Sequence, residues 1–555
     1  MNENRTRNAI RAALGLLVVI AWSNGLNGEF VYDDKVEVIG NRTIRWLEHW
    51  REILTYNIAR PVVIFSWAVD LRLWSDNPFG YHLTNVLIHL CNAMLVFAVG
   101  ERLLRAVESP RPLYIAGVAA ALWAVHPMTT ESVTYITGRS ESLCAMFMLL
   151  AILNWLRWRD TESNEGLGWA FGTFLLAVAT KEVGAMVPLI LLLLEVTLPP
   201  SKQPRRKTHY ALLGFWAIIV AGAFGRKALF GVFTVDRWLR PLDVQLWTQL
   251  EVITVYAKTW FWPTGQTIFH DYPEASGDFS QWAALTLWLT LIATALALKV
   301  RRTAKNPWPL IAIGWWLVIL IPSSSFVPLL ETMAEHRAYL AGWSICFLIA
   351  ISIDHLLHDK PRVRNVVLTL MVCTLIASTH KRNVVWSTEV QLWSEAVELS
   401  PESAEGWYGY ADALRFDAQL EEAIEAYNKA ATLNPKYLPA RTNLGVAQAE
   451  LGRQKEAEET WLALLKQAPN HCPAHNNLGW LYYRQKRWRM AETEFRTTLR
   501  WCPANVQSHY ALGNLYYGPL RDAESSAFHY ETVLKLDDTF VEAQTARSRL
   551  LELTF

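Results

Sequence analysis

Long apolar runs separated by short polar loops fill the chain from its start to about residue 380, and the pattern then changes. A helix that crosses a bilayer needs about 20 mostly apolar residues. Runs near 8–24, 82–104, 112–126, 141–157, 167–180, 183–198, 209–225, 281–299, 308–322, 338–356 and 364–380 meet or approach that length, which predicts about eleven spans. The Trp-rich stretch 248–263 is interrupted by Glu251 and Lys258 and reads as an interfacial or re-entrant helix. Arg5, Arg7 and Arg11 precede the first run as they would in a signal peptide. No small-residue cleavage site follows, so an uncleaved anchor is expected.

From about residue 384 the apolar positions recur with a period of 34. Trp407, Ala423, Tyr427, Ala430 and Pro435 take positions 4, 20, 24, 27 and 32 of this unit. Leu444, Gly445, Ala457, Trp461 and Pro469 keep the phase, as do Leu478, Gly479, Ala491, Phe495 and Pro503. A fourth unit starts near Val506 and carries one extra residue. This is the tetratricopeptide pattern. Small residues at positions 8 and 20 let two helices approach, and large ones at position 24 fill the space between them. Such units bury their apolar faces only by stacking. Trp393, Ala396 and Pro401 supply a half-unit before the array, and residues 540–555 read as a closing helix. The expected fold class is all-α: a polytopic membrane bundle over residues 1–383, then a repeat superhelix over 384–555, held rigidly above it.

Composition adds little except by exclusion. The net charge of +1 argues against a nucleic-acid partner, and many of the 27 Trp suit bilayer interfaces. The six Cys show no CxxC pair and no zinc-ligand spacing. Cys472 and Cys502 bracket one repeat, so they can pair if the array faces an oxidising space.

Basic residues mark the cytoplasmic ends of spans. Arg5 to Arg11, Arg157 and Arg159, Lys202 to Lys207, Lys299 to Lys305 and Lys360 to Arg364 all fall inside if eleven helices cross. The same parity gathers the informative polar loops on the outer side. They include Asp33-Asp34, Arg60-Pro61, Gly80 to Asn85 with His82, and His126-Pro127 through Glu131. Gly138-Arg139, Lys181-Glu182 and Glu335-His336-Arg337 complete the set. Two adjacent carboxylates at a membrane surface suit removal of a proton from a substrate whose other part lies in lipid. Arg grips phosphate through paired hydrogen bonds. Plainer readings exist: His82 and His126 as helix caps, Arg139 and Arg337 as snorkelling interface residues, Lys181 and Glu182 as a mutually satisfied pair. In the repeats, Asn443, Asn477 and Asn514 with Tyr408 and Trp480 are expected to line a groove for an extended peptide, although Asn is also common at such positions.

In this order the motifs resemble those of the transmembrane-and-tetratricopeptide O-mannosyltransferases, within the GT-C glycosyltransferases. The matching segments are Phe30 to Asp34 with Asn41, Gly80 to Val86, His126 to Glu131, Gly138-Arg139, Lys181-Glu182 and Glu335 to Tyr339. The family's last cluster carries two arginines, and His336 replaces the first. The resemblance implies a GT-C membrane fold, a polyprenyl-phosphate sugar donor and an acceptor polypeptide. It places Asp33 as catalytic base with Asp34 beside it, and Arg139, Arg337 and Lys181 on the donor phosphate. His126, Glu131, Glu182, His82 and His336 would support them, with His126 and Glu131 as the candidates for a divalent cation. No dedicated metal motif is visible.

The expected activity is transfer of a sugar, with mannose first, to Ser or Thr of proteins. A lipid or polysaccharide acceptor and a non-enzymatic scaffold are the alternatives. The short array suggests a bacterial inner membrane with periplasmic repeats, and an endoplasmic-reticulum protein with luminal repeats has the same topology. Asn41-Arg42-Thr43 is a glycosylation sequon on the outer side.

Overall fold

The structure, a computed structural model, describes residues 3–57, 59–161, 164–230, 240–275, 277–300, 307–324, 328–329, 331–537 and 542–554. The basic run at 301–305 and the start of the closing helix lie outside the described residues. No strand occurs among the described residues, and the chain divides into two compact units, Met1–Glu395 and Ala396–Phe555.

The first unit contains fifteen α-helices among the described residues, in chain order. They are α1 Glu3–Trp22, α2 Trp50–Tyr56, α3 Pro61–Trp74, α4 Pro78–Ala106, α5 Pro112–Ala124, α6 Thr130–Val133, α7 Arg139–Asp160 and α8 Glu165–Val178. After them come α9 Val187–Thr197, α10 Arg205–Phe230, α11 Leu242–Phe261, α12 Phe279–Val300, α13 Trp308–Leu320, α14 Trp343–Leu356 and α15 Pro361–Val385. All eleven predicted apolar runs are helical, but the count of eleven spans is corrected. Six helices are long and apolar enough to cross a bilayer: α1, α4, α7, α10, α12 and α15. They make this an integral membrane protein. A seventh crossing needs α5 and Pro127–Val133 taken together, bent by 62°. Helices α8, α13 and α14 are apolar but have only 14, 13 and 14 residues. Hydropathy sees the apolar run and not where the helix ends. The segment 248–263, expected to be interfacial or re-entrant, is helical and is not among the helices apolar enough to cross. It belongs to the 20-residue α11, whose Val252, Tyr256 and Trp260 pack into the main core.

The break between α5 and Pro127 frees carbonyls that lipid cannot satisfy. Each finds a donor: Trp22 Nε1 and His89 Nε2 lie 3.0 and 2.9 Å from the Ala124 oxygen, and Thr379 Oγ1 is 2.8 Å from that of Val125. Mid-bundle, Asn92 on α4 donates through Nδ2 to Ser142 O at 2.7 Å.

Ion pairs separate the two ends of the unit. At one end Arg7 meets Glu101 at 2.7 Å, Arg102 meets Asp160 at 3.0 Å, Arg111 meets Asp354 at 3.0 Å and Arg159 meets Glu195 at 2.6 Å. This end joins the start of α1 and α15 to the finish of α4, α7 and α14. The other end joins the finish of α1, α5 and α15 to the start of α4 and α7. There Asn383 accepts from Thr134 Oγ1 at 2.8 Å and donates to Ala21 O at 3.1 Å. The first end collects basic residues, and the second collects the motif loops.

The second unit is a series of antiparallel helix pairs, following the helix Glu389–Leu399 (α16) at the boundary. The pairs are Ala404–Phe416 (α17) with Leu420–Leu433 (α18), and Leu438–Glu450 (α19) with Gln454–Gln467 (α20). Then follow Cys472–Arg484 (α21) with Trp488–Trp501 (α22), and Val506–Tyr517 (α23) with Ala523–Leu536 (α24), closed by Ala543–Thr554 (α25). The position-8 glycines explain themselves. A Cβ on Gly445, Gly479 or Gly513 would sit 2.4, 2.6 or 2.7 Å from the ring of Trp461, Phe495 or Tyr530. Cys472 and Cys502 form a disulfide with Cα atoms 6.4 Å apart.

One repeat contact differs between successive units. His475 donates through one ring nitrogen to the Pro469 carbonyl at 3.0 Å and meets Glu494 with the other at 2.6 Å. His509, one period later, keeps the Pro503 carbonyl at 3.0 Å, but its other nitrogen faces His529 at 2.9 Å. Burial pulls His475 down, yet the bonds to Glu494 and Pro469 leave it net raised. Burial, then His509 and Arg496, lower His529 to about 4. An ordinary His near 6.5 in the unfolded chain makes this stability complete above that value and lost as pH falls toward 4. Between pH 7 and pH 5 the α23–α24 pair is expected to lose about 2 kcal/mol, read as faster amide exchange there. His529→Glu, which recreates the neighbouring unit's pair, should flatten that response.

Candidate active site

The loop after α1 is pinned at both sides. His82 Nε2 lies 3.1 Å from the Gly28 carbonyl, and Glu29 N donates to Ser387 O at 3.0 Å. Tyr32 is held in the left-handed region at φ 52°, a conformation that costs a non-glycine residue about 1 kcal/mol or more. This turn separates the two carboxylates. Asp34 is fully buried, accepting at Oδ1 from Thr137 N at 2.8 Å and from the Thr137 hydroxyl, and at Oδ2 from Val31 N at 3.2 Å. Burial pushes Asp34 up to about 7 against the pull of these donors, and the charge of Asp33 adds to the rise. Asp33 stays open to solvent. Lost hydration raises its carboxyl above the ordinary range, with Tyr135, His336 and Arg60 pulling the other way.

Arg139 takes a different role from the one expected. Its side chain is fully buried at the start of α7, with Nη2 2.5 Å from Asp70. It donates from Nε to Asn85 at 2.6 Å, from Nη2 to the Tyr81 carbonyl at 3.0 Å and from Nη1 to Ser66 at 3.3 Å. Such a guanidinium is a structural clasp with no free edge for a phosphate. Gly138 allows the clasp, since a Cβ there would lie 2.0 Å from the Glu131 carbonyl oxygen. Asp70 was not singled out from the sequence. Its signal was present: a lone acid inside the apolar α3 must face the bundle interior and find a partner.

The expected pair of Lys181 and Glu182 does not form. Lys181 meets Glu141 at 2.6 Å, and Glu182 lies 3.7 Å from Arg60. Lys181 enters in extended backbone, which points neighbouring side chains in opposite directions. Buried Glu131 accepts from His336 at both the backbone N, 2.8 Å, and Nδ1, 2.5 Å. Arg337 turns away to the carbonyls of Glu331 at 3.0 Å and Thr332 at 3.4 Å. Glu335 anchors the segment after α11, accepting from Thr267 N at 2.8 Å and Gln266 at 3.0 Å. Glu331, with Tyr32 at 3.4 Å, is a further acid near Asp33, raised by burial. Nothing in local spacing linked Glu331 to Asp33, because a distant loop brings it in.

His126 follows its plainer reading as a cap, whereas His82 sits inside α4 and holds the Gly28 carbonyl instead. His126 accepts from Met128 N at 3.2 Å, is 3.0 Å from the Trp260 carbonyl and stacks on that indole at 4.2 Å. It is separated in role from Glu131, and among the described residues no three His, Cys, Asp or Glu side chains are grouped to hold a metal ion. Asn41, of the sequon, is 2% exposed and caps its own turn by accepting from Thr43 N at 3.0 Å.

The repeat amides divide. Asn443 donates to Tyr408 at 3.0 Å and Asp412 at 2.9 Å, and Asn514 accepts from Tyr530 at 2.7 Å and from Arg549. Both are therefore engaged within the array. Half-buried Asn477 keeps an amide with no protein partner among the described residues, beside Trp480, whose ring packs on Tyr483 and Phe495.

A family model of the TPR repeat matches residues 419–452. The protein O-mannosyl-transferase Tmtc3 of Drosophila melanogaster is 24% identical over 539 residues, which cover 81% of this chain and 58% of that protein. The protein O-mannosyl-transferase TMTC3 of Homo sapiens is 24% identical over 516 residues, or 82% of this chain and 54% of its own. The chain thus spans little more than half the length of these relatives. Among solved structures, MamA 41-end from Desulfovibrio magneticus RS-1 covers 27% of this chain and 85% of its own at 19% identity, with a TM-score of 0.24. The resemblance drawn from the ordered motifs is upheld: the chain is similar to TMTC-type protein O-mannosyl-transferases over about four-fifths of its length.

Proposed function

We propose that this chain is an inverting, GT-C-type glycosyltransferase that moves a sugar, mannose first, from a polyprenyl phosphate to Ser or Thr hydroxyls of proteins. The observation that carries the reading is the division of labour in the Asp33-Asp34 pair. Asp34 is committed to Thr137 and Val31, whereas Asp33 is solvent-facing and feels His336 and Arg60. Asp33 takes the proton of the acceptor hydroxyl as its oxygen bonds to the anomeric carbon. The bond from that carbon to the phosphate oxygen breaks, and the polyprenyl phosphate leaves with the electron pair. One displacement inverts the anomeric centre. Lys181 and half-exposed Arg60 offset the charge that grows on the phosphate, an effect typically worth a few kcal/mol for each well-placed group. Arg139 and Arg337 hold the walls.

The basic end of the membrane unit suits the cytoplasm, which puts Asp33 on the opposite face. Helix α15 runs from the basic end to that face, and the Cys472–Cys502 disulfide suits an oxidising compartment there. A bacterial periplasm and a reticulum lumen both meet this requirement. The repeat unit would present the acceptor polypeptide, with Asn477 and Trp480 as its open contacts.

Purified protein given sugar-labelled polyprenyl phosphate and a Ser/Thr-rich peptide should move label onto the peptide. Label appearing only on an added lipid or glycan favours a lipid or polysaccharide acceptor. No transfer to any acceptor returns the chain to a scaffold role.

A further inference from the structure

The basic end of the membrane unit holds a cavity that the proposed reaction does not use. It opens between the finish of α9, the loop that follows and the start of α10. Its volume of about 440 Å³ falls in the range of small-molecule sites. One wall is apolar: Leu192 and Val196 lie one turn apart on α9, 44% and 58% exposed, and Leu212 of α10 lines the same space. The other wall is polar, with Ser201, Arg205 and Thr208. Helix α10 is one of the six long apolar helices and begins at Arg205, so the cavity sits where that helix leaves the bilayer. The loop is fixed in place. Arg159 Nη2 donates to the Pro199 carbonyl at 2.8 Å, and the Arg159 carbonyl accepts from Ser201 Oγ at 3.1 Å and Lys202 N at 3.0 Å. Buried Gln203 donates to the Trp158 carbonyl at 3.1 Å.

The charges around the cavity say what it can bind. Glu195 is the one acid among the described lining residues, and its charge is answered. Arg159 Nε lies 2.6 Å from it, and Trp155 Nε1 donates to it at 2.9 Å. From Val196 to Gly225 the sequence has no Asp or Glu, yet it carries Lys202, Arg205, Arg206 and Lys207, all cationic at neutral pH. Lys299, at the end of α12, donates to the Val196 carbonyl and adds another cation. Arg205 is exposed and has no hydrogen bond or ion pair among the described residues, so its guanidinium is unspent. We infer that this cavity binds an anionic glycerophospholipid of the leaflet at the basic end: Arg205 donates to the phosphodiester oxygens, and an acyl chain lies along Leu192 and Val196. A guanidinium suits paired bonds to phosphate, and basic pockets between helices at a cytoplasmic surface take anionic headgroups. The apolar wall favours a lipid over free phosphate, which has nothing to place against it. No covalent bond is made or broken, and the site stands independently of the sugar transfer proposed above.

The test compares two lipids with the same acyl chains. The full chain, purified in detergent, is equilibrated with dioleoyl phosphatidylglycerol or dioleoyl phosphatidylcholine, and retained lipid is counted by native mass spectrometry. Wild type should hold phosphatidylglycerol about fivefold more tightly or better, the worth of one basic side chain near an anionic surface. Arg205→Gln should remove most of that preference and leave phosphatidylcholine binding unchanged. Its melting temperature should hold, because Arg205 has no protein partner to lose. Arg206→Gln is the control. That guanidinium turns to Tyr210, with Nε 3.1 Å from the hydroxyl, and the preference should survive its loss. Millimolar inorganic phosphate should leave bound phosphatidylglycerol in place. Equal binding of the two lipids by wild type overturns the assignment. Equal losses from Arg205→Gln and Arg206→Gln overturn it too, as the mark of a diffuse basic surface. Displacement by inorganic phosphate would make this a site for a free anion and overturn the lipid reading.

Discussion

Asp33→Asn lowers the turnover of sugar transfer by about 100- to 10,000-fold, the range for removing a well-placed general base. The change preserves shape at a solvent-facing position, so the melting temperature of the protein should hardly move. Asp34→Asn behaves differently. An amide oxygen can still accept from Thr137 at the 2.8 Å contact, but its NH2 group then confronts the Val31 N–H that Asp34 accepts at 3.2 Å. Turnover should fall less than in Asp33→Asn, and the loop should loosen measurably in hydrogen exchange. The pH profile of kcat adds an independent check. A base works only when deprotonated, and burial raises Asp33 above the ordinary carboxylate value. Activity should therefore fall on acidification along a limb above the usual Asp range, and that limb should vanish from the residual activity of Asp33→Asn.

Asp70→Asn carries the largest expected cost in stability. It strips the counter-charge from a fully buried Arg139 guanidinium 2.5 Å away and leaves the rest of its hydrogen bonds in place. Breaking such a pair by removing one partner typically costs about 3–5 kcal/mol. The damage should reach the chemistry too. Arg139 begins α7 two residues after Thr137, which holds Asp34, so a shift at the clasp is passed to the Asp33 loop. Replacing both partners, as Asp70→Leu with Arg139→Met, should recover most of the thermal stability, because no unpaired charge is left behind. A double variant as unstable as the single one would mean that the bonds to Asn85 and Tyr81, rather than the charge pair, secure this wall.

The helical class and the repeat register were legible because both rest on periodic patterns. The 34-residue phase put Gly445 and Gly479 at a small position and Trp461 and Phe495 at a large one, and these pairs are in contact, as are Gly513 and Tyr530 in the fourth unit. Crossing number was less legible, since hydropathy cannot tell a 13-residue apolar helix such as α13 from a full span. The motif residues do gather at one end, as their shared loop positions implied. Their roles were readable only in part. A sequence shows that Arg139 and Lys181 carry charge, but not that Asp70 and Glu141 lie close enough to claim them. Those partners come from other helices and loops, so residue spacing holds no trace of them. The same blindness hid the split between Asp33 and Asp34, which follows from the left-handed turn at Tyr32 and from a hydroxyl 103 residues downstream.

Sealed vesicles of defined orientation offer the most direct measurement, with labelled polyprenyl-phosphate sugar in the bilayer and a membrane-impermeant Ser/Thr peptide outside. Vesicles that expose the Asp33 end should glycosylate the peptide, and inverted vesicles should do so only after permeabilisation. Labelling of the peptide by intact inverted vesicles would contradict the account, because the carboxylate, the cations and the acceptor would then meet on the basic face.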